Sequence, residues 1–343
     1  MTNARKVLFI AGAGRSGTST LAGIMSRLGL HVPQPEVAAD ETNPKGFGEP
    51  QWAVDFHNRV LNEIMVQVSD SRPEAWSIAA AKGAEEGTLS EVTAWLAPHF
   101  GECAELVVKD PRLSWFLPLW HDAAERCDST AVVATMLRPP PEVVGSKQKY
   151  YENKLGSAHL TASWLNMLLH TELATRDTPR SFVRYADLLD DHRATTAAVG
   201  ERLGLTRVTG ATAADWSRLD GFIDPSLRRV GLSWADLELP TRLEELTRSG
   251  WEALNTLADG ETPEALATLD QVRASYTDLY AESEAISKSS AVAERVAGRR
   301  EVRAARPTPA PAPPSRLDFV PHRWRAAIPP SVRRGLRKVL PRR

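Results

Sequence analysis

Gly12, Gly14 and Gly17, followed at once by Thr18, Ser19 and Thr20, stand directly after the apolar run Val7–Ala11. Glycines at that spacing let backbone N–H groups turn inward around an anion, and a helix starting at the hydroxyl cluster aims its positive dipole end at the same point. The pattern matches G-x-x-x-x-G-K-[ST] at every position but the lysine, where Thr18 stands. Arg15, inside the loop, offers a planar two-pronged cation instead. A nucleoside triphosphate hydrolase would also need a carboxylate for magnesium and a base for water. The nearest carboxylate at a strand end is Asp110, and its neighbours Lys109 and Arg112 make a cationic setting suited to an anion.

These residues need a scaffold. "VLFIA", "ELVVK" around Val107, "TAVVATML" around Val133 and the start of "PRSFVRYADLL" are continuous apolar runs of strand length, as strands covered on both faces require. Helical patterns separate them, which predicts βαβ units and an α/β fold with a central parallel sheet between two helical layers. The first helix is expected from about Thr18, with Leu21, Ile24, Met25 and Leu28 inward and Gly29 as its stop. Residues 241–285 read as helical, with Thr262, Pro263 and Glu264 as a start signal. In such a sheet the ligand lies beyond the carboxyl ends of the strands. The turns after the four runs are therefore the places to look.

The chain has 343 residues and a net charge of −1, which hides an asymmetry: from Ala291 on, 14 Arg or Lys face three acidic residues. We expect a domain over residues 1–288, a Pro/Ala/Arg-rich linker over 289–315 and a basic tail over 316–343. In the tail Val332, Leu336, Val339 and Leu340 share one face of a short helix, so peripheral association with an anionic membrane is the partner this segment allows. Nucleic acid is not expected, because aromatic interleaving there is limited to Phe319 and Trp324. Cys103 and Cys127 are the only cysteines, without metal-ligand spacing to histidine. With no leader and no apolar run of about 18 residues, the expected location is the cytoplasm.

"GAGRSGTSTLAG", "VVKDPRL" and "MLRPPPEVVGSKQ", in that order, together resemble sulfotransferases that use 3′-phosphoadenosine 5′-phosphosulfate, above all the bacterial and carbohydrate-type members with Arg in the loop. The resemblance spans roughly residues 5–235 and implies a P-loop-containing fold, that sulfonate donor and no metal. It implies that Gly14, Arg15, Ser16, Gly17, Thr18, Ser19 and Thr20 hold the 5′-phosphosulfate. Arg138 and Ser146 would take the 3′-phosphate, with Arg228 and Arg229 of "FIDPSLRR" closing over it, though no "RKG" follows. Arg15 and Lys109 would stabilise the leaving oxygen. For the base, no histidine stands at the exit of the second strand. Glu49 in "NPKGFGEP" is the leading candidate, with His57 and Asp110 behind it.

The expected reaction is in-line transfer of a sulfuryl group to a small-molecule or glycan hydroxyl. Acceptor contacts are expected from residues 50–100 and 147–170, where Trp52, Trp76, Trp95, Tyr150, Tyr151 and Trp164 lie, although core packing explains most of these aromatics. Two other readings stay open: a P-loop kinase of a small molecule, and a non-catalytic nucleotide-binding scaffold recruited by its basic tail.

Overall fold

A computed structural model describes residues 5–40, 43, 46–150, 155–223 and 232–305. Its centre is a four-stranded sheet in the order β2-β1-β3-β4, built from β1 (Lys6–Ala11), β2 (Glu105–Lys109), β3 (Thr130–Leu137) and β4 (Arg180–Arg184). Every pairing is parallel. The register sets Ile10 beside Lys109, Ala11 beside Thr135 and Leu137 beside Arg184, so the strand exits converge at one end.

Strand alternation divides the core in two. Val7, Phe9, Leu106, Val108, Val133 and Phe182 face one buried cluster with Phe56, Trp115, Trp120 and Trp164. Leu8, Ile10, Val107, Val132, Met136 and Val183 face another with Leu21, Ile24, Met25, Leu188 and Val199. Helices cover both faces, which makes the three-layer α/β arrangement that the continuous apolar runs predict.

α1 (Thr18–Arg27) follows the glycine loop and ends where predicted: Leu28 caps it and Gly29 takes φ 96°. α2 (Gln51–Glu63) begins two residues after Glu49. The stretch expected to be helical from 241 to 285 holds two helices, Thr241–Asp259 and Pro263–Ala305; Gly260 leaves helical geometry, and the second starts at the expected signal, Thr262, Pro263 and Glu264.

The chain divides into two units, Met1–Ser283 with the sheet, and Glu284–Arg343. The linker expected from residue 289 is corrected, because the last helix continues through Ala305. Residues 291–305 are rich in Ala, Glu and Arg, all good helix formers, and the first proline after them is Pro307. The rest of that linker and the tail over 316–343 lie outside the described residues, as does the face of Val332, Leu336, Val339 and Leu340. No helix among the described residues is long and apolar enough to cross a membrane.

Candidate functional site

The loop between β1 and α1 has the strained backbone of an anion cradle. Arg15 sits at φ 77° and Gly17 at φ 90°. A Cβ at Gly17 would overlap the ring of Tyr185, so glycine is required there by contact as well as by conformation. Tyr185 opens the helix after β4, and its hydroxyl shares a hydrogen bond with Thr20. Burial pushes its phenol above the usual range. Ser16 is 1% exposed, and its Oγ has no hydrogen-bond partner. A buried hydroxyl without a partner suits an oxyanion, since such groups are uncommon. Gly12 N donates to Ser114 Oγ at 3.4 Å, tying the loop to the turn after β2.

β3 delivers Arg138 at its exit, and the following helix Pro140–Tyr150 delivers Ser146. Arg15 donates from Nε to Ser146 Oγ at 3.0 Å. Arg138 donates from one terminal nitrogen to the Arg15 carbonyl at 2.9 Å, and from Nε to Glu142 at 2.9 Å. Its guanidinium also lies over the Tyr185 ring, 5.0 Å from the centroid. Arg138, Ser146, Arg15 and the loop thus form one connected group. Glu142 is a part of it that sequence reasoning missed, although a carboxylate four residues after an arginine on a helix start is a readable signal.

On the other side of the loop, Lys109 ends β2 and is 1% exposed. Its ammonium donates to Ser19 Oγ at 3.0 Å and to Glu49, which is also buried. A lysine thus reaches the hydroxyl cluster from the neighbouring strand, while Thr18 occupies the loop position where a lysine is usual. Glu49 is placed by Gly48, at φ 64°, where a Cβ would come within 2.8 Å of Ala22 on α1.

The other two base candidates are fully engaged. His57, on α2, is wholly buried, and Trp120 donates to its Nε2 at 2.9 Å. That nitrogen must be the lone-pair side, so Nδ1 carries the proton and donates to Asp110 at 2.7 Å. The other Asp110 oxygen accepts from the backbone N–H and the guanidinium of Arg112, at 3.0 and 2.8 Å. Asp110 caps the short 3-10 turn Pro111–Phe116, and neither its oxygens nor the His57 nitrogens are open to a ligand. Burial pushes the Asp110 carboxyl up, but the His57 hydrogen bond and the charge and backbone N–H of Arg112 outweigh it and hold the group at about 2.

Several expected acceptor aromatics are packing residues. Trp52 stacks on Trp95 at 4.6 Å and 7°, and Trp95 meets Trp120 edge-on at 5.8 Å. Trp164 is 1% exposed. Tyr151, Arg228 and Arg229 lie outside the described residues.

Loop and strand order define a P-loop-like α/β protein, with Arg15, Lys109 and Arg138 gathered at the strand exits. No family model matches the chain, and neither does any curated protein. Among solved structures it is similar to the sulfotransferase domain from the Synechococcus PCC 7002 olefin synthase, with 17% identity over 80% of this chain and 96% of that one, at a TM-score of 0.38. It is also similar to the sulfotransferase domain from the curacin biosynthetic pathway, with 14% identity over 76% of this chain and 100% of that one, at a TM-score of 0.40.

Proposed function

We propose that this protein is a sulfotransferase that takes the sulfuryl group of 3′-phosphoadenosine 5′-phosphosulfate and transfers it to a hydroxyl acceptor, with sugars and glycolipids in the class. The observation that carries the reading is the junction of Arg15, Ser146 and Arg138. A donor with phosphates at two places on one nucleoside needs a second cationic pocket beside the loop, and a loop joined to a strand-end arginine and a helix serine supplies it. The residues fit the donor: the unpartnered Ser16 hydroxyl suits the 5′ side, and Arg138 with Ser146 the 3′-phosphate.

When bound, the donor supplies a sulfur centre whose bond to the phosphate oxygen breaks as the acceptor oxygen attacks in line. The chain's own groups do the rest. Arg15 and Lys109 stabilise the negative charge that gathers on the departing phosphate, and the buried Lys109 ammonium, held beside Ser19, is worth more there than a solvated cation. Glu49 takes the acceptor's proton. It is the carboxylate held at the loop by Lys109, while His57 and Asp110 are committed to each other. Pairing with Lys109 also holds Glu49 in place until an acceptor arrives.

The test is transfer itself. Purified protein, the sulfonate donor and a panel of mono- and oligosaccharides, glycolipids and phenols are incubated without added magnesium, and products are read by mass for a gained sulfonate. Sulfonated product supports the reading. Donor binding with no product on any acceptor would favour a scaffold, and phosphorylated product from ATP and magnesium would favour a kinase.

A further inference from the structure

At the end of the sheet opposite the phosphate loop, three side chains distant in sequence converge. His31 lies in a short segment bridged to the outer edge of β2: its N–H donates to the Glu105 carbonyl at 3.0 Å, and its carbonyl accepts from Val107 at 2.8 Å. His99 belongs to the 3-10 turn Ala97–Gly101, and Glu102 caps that turn, donating to the His99 carbonyl at 3.1 Å. Both backbones are thereby fixed. His31 Nε2 stands 3.4 Å from Glu102 Oε2, and the two imidazole rings are 5.9 Å apart. One ligand atom from each of the three residues falls within 4.8 Å of the others. His31 Nε2 and His99 Nδ1 are both shielded from solvent, and neither has a hydrogen-bond partner.

We propose that His31, His99 and Glu102 bind one divalent transition-metal ion, with zinc the best match, leaving a further coordination position to water. Two imidazole nitrogens and a carboxylate oxygen are a known donor set for zinc, and a tetrahedral ion needs ligand atoms about 3.3 Å apart, given metal bonds near 2 Å. The His31–Glu102 separation already meets this, and the spread of the third ligand is within reach of a side-chain rotation. His99 Nδ1 would gain the partner that buried polar atoms ordinarily have, and His31 Nε2 a closer one than the Glu102 carboxylate at 3.4 Å. Three protein ligands with an open position suit nitrogen and oxygen chemistry better than a magnesium site, which favours oxygen alone. His31 pairs with Leu106, three residues before Lys109, so the ion would lie about 10 Å or more along the strand from the phosphate loop. Its role would be to pin the His31 segment and the Ala97–Gly101 turn to the edge of β2, and it is independent of the transfer reaction.

Untagged full-length protein, stripped of metal by chelation and buffer exchange, is titrated with zinc by calorimetry and with cobalt by visible absorption. The parent should bind one ion per chain, and its thermal midpoint should rise with zinc. Glu102→Gln and His99→Ala should each weaken binding roughly tenfold or more, as loss of a ligand does. Glu102 is 62% exposed, so its variant tests the site even if removing His99 harms folding. A second group, His121, Asp122 and Glu125, lies exposed on one helix and serves as the control: His121→Ala should change nothing. Absence of stoichiometric binding, or binding lost in His121→Ala and kept in Glu102→Gln, would overturn the assignment.

Discussion

Arg15 donates its Nε proton to Ser146 Oγ at 3.0 Å, across 131 residues of sequence, so the loop after β1 and the helix after β3 share one hydroxyl. Two neighbouring strand exits are thereby joined into a single hydrogen-bonded group, with Arg138 bound to the carbonyl of the same arginine. The predictions below follow from this group and from the buried ionic pairs around it.

Glu49→Gln keeps the shape of the side chain and removes its basicity. Transfer should fall by ~10²–10⁴, the usual worth of a positioned base. Affinity for 3′-phosphoadenosine 5′-phosphate should stay near that of the parent. Steady-state rates beside calorimetry separate the two effects, and a variant that transfers normally would remove Glu49 from the reaction.

Gly17→Ala meets two obstacles. The left-handed backbone at φ 90° costs a residue with a Cβ about 1–2 kcal/mol, and the new methyl would overlap the Tyr185 ring. Urea unfolding should show the loss, together with weakened nucleotide binding. The double variant Gly17→Ala/Tyr185→Ala should recover part of the binding deficit by relieving the overlap, at the cost of a cavity.

The His57–Asp110 pair makes stability depend on acid. Unfolded, Asp110 titrates near its ordinary 3.8; folded, it is held at about 2. Its contribution is therefore complete above roughly pH 4 and is lost as pH falls toward 2. Asp110→Asn should cost about 1–3 kcal/mol at pH 7, because the His57 N–H and the Arg112 guanidinium lose the carboxylate they donate to. The deficit against the parent should shrink below pH 4. An equal deficit at pH 7 and pH 3 would contradict the ionic account.

Lys147 behaves oppositely. Burial pushes its ammonium down from 10.5 to about 8, and its hydrogen-bond acceptor is the Ser69 hydroxyl at 3.0 Å. Between pH 8 and 10.5 the unfolded chain holds a proton that the folded protein has released, so stability from this group rises across that window. Lys147→Met should stabilise the protein by about 1–3 kcal/mol at pH 7, a gain that fades as pH approaches 10.5. Urea midpoints at the two pH values check this.

Much of the architecture was legible because it rests on local pattern. Four apolar runs became β1 to β4, and the glycine–hydroxyl cluster became a loop and α1. Choosing among base candidates was different. His57 and Asp110 are 53 residues apart, and nothing local says that Trp120 fills the remaining imidazole nitrogen. Lys109 reaching Ser19 across 90 residues depends on strand order, which periodicity does not encode. The proline-rich end of the chain misled in the other direction: its composition suggested a linker from residue 289, yet good helix formers carry the helix through Ala305. The His31, His99 and Glu102 group was invisible for the same reason as the histidine–aspartate pair, since its members meet only once β2 has an edge.

The most direct measurement is the affinity of 3′-phosphoadenosine 5′-phosphate for the parent, Ser146→Ala and Arg138→Ala, set beside adenosine 5′-phosphate, which lacks the 3′-phosphate. The account predicts that the parent prefers the bisphosphate without added magnesium. Arg138→Ala should erase that preference, by roughly 10- to 150-fold for a charge-assisted bond of about 1.5–3 kcal/mol, and Ser146→Ala should reduce it. If all three proteins bind the two nucleotides alike, no 3′-phosphate pocket exists beside this loop, and the account is wrong.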